Sequence, residues 1–189
     1  MERQEIVIFG ERIRLRAVER EDLPRFVEWF HDPEVRAGIS LFMPMSLVEE
    51  EQWYEGMLKR DPIEHTLSID VHQGDEWTHV GGCGLFDFEP QSRRMELGII
   101  IGDKSAWDQG FGTDAVRALL RHAFETLNLN RVALRVFETN LRAIQVYKKI
   151  GFIEEGRLRQ DHFIDGQYVD VLLMGILCVE WKSIEKSEG

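Results

Sequence analysis

Cysteine is scarce. Cys83 and Cys178 are the only two in 189 residues, and they stand far apart. No C-x-x-C pair exists, so neither a zinc knuckle nor a thioredoxin-type redox motif can be written. Each lies in an apolar run, which points to two buried strand cysteines. Basic residues are also short: 23 Lys+Arg face 34 Asp+Glu, a formal charge of −11. A chain this acidic has no net pull toward phosphate backbones or anionic lipid. That excludes a nucleic-acid coat and leaves room only for a local anion site. Long apolar runs are missing as well. The longest, Val171 to Val179, contains a glycine and falls far short of the ~20 residues a bilayer span needs. The opening Met1 to Arg12 lacks the apolar core of a signal peptide. A cytoplasmic protein without a membrane partner is the expectation. The chain is 43% hydrophobic and 30% charged, which suits one compact domain with its own core. That domain is expected over 1–179, followed by a charged, frayed tail over 180–189.

What is present is periodicity. Glu5 to Val18 holds Ile6 to Phe9, a Gly10 turn, then Ile13-Arg14-Leu15-Arg16 in alternation, a strand signature. Asp22 offers a helix cap, and Leu23, Phe26, Val27 and Phe30 follow at helical spacing. Ser46 with Glu49 forms a capping box for a second helix, with Leu47, Trp53, Tyr54, Met57 and Leu58 as its apolar face. The apolar stretch Gly38 to Met45 has no clear period and is expected to pack under the helices rather than cover a ligand. From His65 the pattern turns to strands: Thr66 to Val71, Val80 to Phe88 and Met95 to Ile101 read as an antiparallel meander. A helix over Phe111 to Leu127, a strand over Arg131 to Phe137 and a helix over Asn140 to Lys149 follow. Two strands close the chain, Phe152 to Phe163 and Tyr168 to Val179, with Asp165-Gly166 as a hairpin signal between them. That order describes one α+β domain.

The chemistry concentrates in Gln109-Gly110-Phe111-Gly112-Thr113, which opens a strongly amphipathic helix. Glycines at a helix N-terminus let the backbone approach a ligand, and first-turn N–H groups carry partial positive charge. Such a loop suits a pyrophosphate, although a tight turn alone would also explain the glycines. Gly110-x-Gly112-x-x-Ala115 satisfies the dinucleotide fingerprint too, with Glu138 where a ribose-binding acid would stand. Against that reading, eight residues separate Ile101 from Gly110, and too few strands follow for a doubly wound sheet. A P-loop is excluded because no Lys-Ser/Thr follows the glycines.

One strand later comes Asn140-x-x-Ala143-x-x-x-Tyr147-x-x-x-Gly151-Phe152. Asn140 can cap the helix, Tyr147 lies two turns along nearly the same face, and Gly151 can stop it. With both motifs in place, the chain resembles the GNAT N-acetyltransferase superfamily and its RimJ/RimL-like branch. The resemblance runs from Gly10-Glu-Arg-Ile-Arg-Leu-Arg16 to Met174. It includes Trp29-x-x-Asp32-Pro33-Glu34-Val35-Arg36, Glu96-Leu97-Gly98, Trp107-Asp108-Gln109-Gly110-Phe111-Gly112-Thr113 and Asp165-Gly166-x-Tyr168-x-Asp170. The superfamily's pyrophosphate motif begins with Arg or Gln. Here that position is Trp107, a departure that removes one side-chain phosphate contact.

The resemblance implies a mixed, mostly antiparallel sheet of about seven strands, with helices on its flanks and a central parallel pair splayed for CoA. It implies acetyl-CoA as co-substrate and no metal. The backbone of Ile99, Ile100 and Ile101 would pair with the pantetheine arm, and the amides of Gln109, Gly110, Phe111, Gly112 and Thr113 would hold the pyrophosphate. Asn140 would bond the cofactor near its thiol end. Lys149 would reach the ribose phosphate, with a solvated surface lysine as the equal alternative. An amine with a pKa near ~10 is protonated at neutral pH and cannot attack a thioester. Glu96, turned to the opposite strand face from Met95 and Leu97, is the candidate to take its proton; a substrate-orienting or structural carboxylate is the alternative. Backbone N–H groups near Ile99 to Ile101 would meet the tetrahedral oxygen, and Tyr147 the departing thiolate.

The function expected is acetyl transfer to a primary amine: a protein N-terminus, or a small basic amine such as a polyamine or antibiotic. A non-catalytic acyl-CoA-binding protein on the same scaffold is the alternative, and the intact Tyr147 and Asn140 argue against it. Glu49, Glu50 and Glu51 mildly favour a cationic acceptor, although such runs usually form a solvated helix face. His65, His72 and His79 recur at intervals of seven but lack a ligand set for a metal, and His162 is a substrate-contact candidate. The apolar final strand could pair across a homodimer or stay intramolecular.

Overall fold

A computed structural model describes residues 6–188. Glu5 of the opening strand signature, the start of the segment compared with a signal peptide, and Gly189 of the tail lie outside the described residues. Two compact units are present. One takes the chain up to Phe86 together with Gly98–Leu119; the other takes Asp87–Leu97 together with the chain from Leu120 onward.

The first unit contains β1 (Ile8–Phe9), β2 (Ile13–Ala17), β3 (Leu67–Gln73), most of β4 (Glu76–Glu89) and the end of β5 (Arg94–Ile101). Its helices are α1 (Leu23–His31), α2 (Pro33–Arg36), α3 (Leu47–Met57) and most of α4 (Phe111–Arg121). Strands β1 to β4 pair antiparallel in sequence order, with Ile8 opposite Leu15, Ile13 opposite Val71 and Leu67 opposite Cys83. The alternation in β2 has the consequence the pleat demands. Ile13 and Leu15 are buried, and Arg14 and Arg16 turn to the other face, each guanidinium reaching Asp70, at 2.8 and 2.9 Å.

Helices α1 and α3 bury Val18, Leu23, Phe26, Trp29, Val35, Tyr54 and Met57 in one cluster. Asp22 precedes α1 as expected, but its side chain does not cap the helix. The carboxylate accepts instead from the Arg16 guanidinium, the Ser68 hydroxyl and the Glu19 N–H, because a charge-assisted fork is stronger than a cap. The Ser46–Glu49 capping box forms. The buried stripe of α3 is Glu50, Tyr54 and Met57, while the expected face residues Leu47 and Leu58 are exposed. In the preceding loop, Phe42 and Met43 are also exposed, which corrects the expectation that this stretch packs under the helices.

The second unit contains the start of β5, β6 (Arg131–Phe137), α5 (Leu141–Ile150), β7 (Ile153–Ile164), β8 (Gln167–Leu177) and α6 (Cys178–Glu188). β5 and β6 form the expected parallel pair, with Met95 opposite Val132; β8 lies antiparallel between β6 and β7. Both edges of this final strand are therefore occupied within the chain, which removes it as a dimer edge. The β7–β8 turn places Asp165 at φ 49° and Gly166 at φ 82°, the left-handed pair a two-residue hairpin requires. Among the described residues eight strands are present, against the expected seven or so.

Two boundaries differ from expectation. The helix from Phe111 is α-helical only to Arg121 and then widens into a π-turn over His122–Thr126, where the Leu127 N–H reaches the His122 carbonyl at 3.0 Å. The charged C-terminal segment is helical rather than frayed. Trp181 of α6 is fully buried against Phe124, with ring centroids 6.3 Å apart. Cys178 opens this helix, half-buried, rather than lying in a strand; Cys83 is a buried strand cysteine as expected.

Candidate active site

The glycine loop of the first unit is built from its backbone. Gly110 has φ 84°, a conformation that costs a side-chain-bearing residue and is free for glycine. Phe111 then starts α4, so the first-turn N–H groups project at the loop. The Asp114 carboxylate accepts the N–H groups of Glu11 and Arg12 at 2.9 and 2.7 Å, fastening the helix start to the turn between β1 and β2. That bond delivers Arg12 to the loop. Its guanidinium donates to the Gln109 carbonyl and lies 4.6 Å from the centroid of the Phe111 ring. A local cation therefore stands beside the glycine loop in an acidic protein. Nothing in the loop motif signals Arg12; its arrival depends on tertiary packing. Trp107, in the place of the motif's Arg or Gln, donates its indole N–H to the Ile101 carbonyl at 2.7 Å. It ties the loop to the end of β5 instead of offering a charge.

Gly98, Ile99 and Ile100 of β5 line a cleft of about 340 Å³ in this unit, together with Phe26 and Phe30 of α1, Cys83 and Phe86 of β4, and Trp53 and Glu50 of α3. The walls are largely apolar, with the hydroxyls of Ser40 and Thr66 and one carboxylate, Glu50, which is 2% exposed. Among the described residues its carboxylate has no hydrogen-bond or ion-pair partner, and burial pushes it up to about 7. Burial likewise pushes the Cys83 thiol up to about 12. The exposed-face reading of Glu50 missed this position. The available signal was helical register: Glu50, Tyr54 and Met57 fall at i, i+4 and i+7 on one stripe.

In the second unit, Asn140 caps α5, its side-chain oxygen accepting the Ala143 N–H at 3.2 Å. Ile144, Tyr147 and Ile150 form the buried stripe of that helix, and Gly151 at φ 113° ends it. The Tyr147 ring meets Phe152 edge-on at 5.7 Å, and burial pushes its phenol up to about 12. Lys149 is exposed. Glu96, half-buried at the start of β5, has the Arg135 guanidinium at 3.5 Å. Glu138 accepts the Asp170 N–H and an Arg157 guanidinium N–H, both at 3.0 Å. It is thus a structural partner of the β6–β8 pair rather than a ribose ligand.

The three spaced histidines do different things. His65 meets the Arg60 carbonyl, His72 packs on Trp77, and His79 is buried beside Asp22. Among the described residues, no group of three or more His, Cys, Asp or Glu could hold a metal ion. His162 pairs with Asp161 and packs on Phe137.

Residues 12–153 match the model of the acetyltransferase (GNAT) domain. The chain belongs to the GNAT acetyltransferase family. It is 30% identical to the uncharacterized N-acetyltransferase p20 of Bacillus licheniformis, covering 92% of this chain and 97% of that protein. Identity to the spermidine N(1)-acetyltransferase of Vibrio cholerae is also 30%, over 94% of this chain and 98% of the relative. The crystal structure of a spermidine N-acetyltransferase from Vibrio cholerae with CoA and spermine matches with a TM-score of 0.83 at 28% identity, covering 92% of this chain and 99% of that one. The GNAT fold, with its parallel strand pair, is that of an acetyl-CoA-dependent N-acetyltransferase acting on an amine. No helix among the described residues is long and apolar enough to cross a membrane.

Proposed function

We propose that this GNAT enzyme acetylates the primary amine of a small molecule taken into the cleft of the first unit, rather than a protein N-terminus. The cleft carries this reading. At about 340 Å³, with largely apolar walls, two hydroxyl side chains and one carboxylate, it has the size and lining of a small-molecule site. The similarity to spermidine acetyltransferases supports it. The cytoplasm, which keeps thiols reduced, suits the two unbridged cysteines.

For acetyl-CoA, we assign the pyrophosphate to the amides of Gln109, Gly110, Phe111, Gly112 and Thr113, with Arg12 supplying the positive charge that Trp107 does not. The strand backbone at Ile99 and Ile100 is assigned to the pantetheine arm; the Ile101 carbonyl is already taken by Trp107. Asn140 and Lys149 keep their proposed cofactor contacts. Tyr147 is proposed to meet the departing thiolate as a hydrogen-bond donor. With its phenol near 12 and a thiol near ~8.5, full proton transfer is uphill by ~5 kcal/mol. The final proton on sulfur therefore comes from elsewhere. Glu96, engaged by Arg135, is read as the orienting or structural carboxylate.

The test is CoA thiol release with the purified enzyme over monoamines, polyamines, aminoglycosides and N-terminal peptides. Turnover of small amines with peptides inert is the expected result; the reverse preference sinks the small-amine reading.

A further inference from the structure

A carboxylate buried in an apolar wall without a partner is costly, and a fold tolerates that cost where the group is used. Glu50 meets this description: it is 2% exposed and lines the cleft beside Phe26, Trp53 and Ile100. We propose that Glu50 is a catalytic residue, pairing with the acceptor's ammonium inside the cleft and then accepting its proton. This rests on the reading that a small amine enters the cleft.

The step balances. An N–H bond of the ammonium breaks, its electron pair stays on nitrogen, and the proton binds a Glu50 oxygen. The nitrogen pair then bonds to the thioester carbonyl carbon. On collapse the C–S bond breaks with its electrons going to sulfur, and the second nitrogen proton goes to that sulfur, through solvent. Glu50 returns its proton to solvent after turnover.

An ordinary carboxylate is poorly matched to an amine near ~10; one raised by burial is closer, and the apolar walls lower the amine as well. The other ionisable groups around it do not offer the same service. β4 contributes the neutral thiol of Cys83, and α1 contributes Phe26 and Phe30. The loop 38–45 and the end of β5 carry no ionisable side chain. His65, next to lining residue Thr66, has its ring at the Arg60 carbonyl. On α3 itself, Glu49 is turned to its cap with Ser46, and Glu51 lies one position round the helix. A single carboxylate also selects: a second ammonium drawn into these walls would have no counter-charge. The cleft is therefore matched to an amine with one ammonium on an apolar body.

The experiment compares wild type, Glu50→Gln, Glu50→Asp and Glu51→Gln with 2-phenylethylamine, hexylamine and spermidine, across pH 5.5 to 9.5. For Glu50→Gln we expect a loss of about 100-fold in kcat/KM for the amine with the acetyl-CoA KM unchanged. Its residual rate should climb steadily with pH where wild type levels off. Glu51→Gln should behave as wild type, and Glu50→Asp should retain activity with a displaced inflection. Should Glu50→Gln fail to fold, the Glu50→Asp profile decides: an inflection identical to wild type overturns the proposal. Small-amine turnover that Glu50→Gln leaves intact overturns the role of Glu50 alone; a preference for spermidine above tenfold overturns the match to a single ammonium. Peptide-only activity in wild type overturns the acceptor reading and this proposal together.

Discussion

Arg16 holds both carboxylate oxygens of Asp22, at 2.7 and 2.9 Å, immediately ahead of α1. Burial alone would raise Asp22, but the Arg16 fork, the Glu19 N–H, His79 and the Ser68 hydroxyl together hold it at about 2. A carboxyl depressed in the folded state stabilises above its unfolded value near ~4, and that stabilisation is lost as pH falls toward 2. It amounts to about 2 kcal/mol. His79 acts earlier: burial lowers it despite the nearby Asp22, so the unfolded chain gains its proton first as pH drops below ~6.5. Urea midpoints followed from pH 7 to 2.5 should therefore decline in two stages. Asp22→Asn should be weaker at pH 7 and lose the lower stage. An unchanged lower stage would place the acid sensitivity elsewhere.

Tyr147→Phe should keep the α5 packing, because the ring meets Phe152 edge-on and the hydroxyl is not part of that contact. Turnover should fall by about 100- to 1,000-fold, the scale of one lost donor at a developing charge. The acetyl-CoA dissociation constant should stay within about twofold. Equal losses in both would reduce Tyr147 to a packing residue.

Arg12→Ala tests the origin of the anion site. Its guanidinium is surface-exposed, so the effect should be modest, with the acetyl-CoA KM rising about two- to fivefold and the amine KM unaffected. Raising the salt should shrink the difference between variant and wild type. An unaltered KM at low salt would leave the loop amides as the whole site.

Trp181→Ala probes the C-terminal helix. A fully buried tryptophan replaced by alanine costs about 3–5 kcal/mol. Thermal melting should drop by several degrees, and removal of the chain after Leu177 should do the same. A variant that melts like wild type would restore the reading of a frayed tail.

Much of this fold is written in local rules. The β2 alternation, the Asp165-Gly166 hairpin, the Ser46–Glu49 box and the Asn140–Gly151 helix each follow from a few neighbouring residues. The features that escape such rules depend on distant partners. Asp22 gave up its cap because Arg16, six residues back, turns its guanidinium on it. Arg12 reaches Gln109 across 97 positions. Trp181 anchors a segment whose charged composition reads as solvated. Glu50 escaped for another reason: within a run of glutamates, composition concealed a register that helix geometry makes explicit.

The buried thiol of Cys83 carries a kinetic meaning. A thioester and a free thiolate exchange acyl groups readily, so a reactive cysteine in the cleft wall would capture the acetyl group and force a two-stage, enzyme-acylated route. With its pKa pushed up to about 12 by burial, the thiol stays protonated at pH 7. The wall stays a chemical bystander, and the amine remains the only nucleophile there worth the name. Initial-rate plots at varied amine and acetyl-CoA should then give intersecting rather than parallel lines, with no acetyl mass on the resting protein.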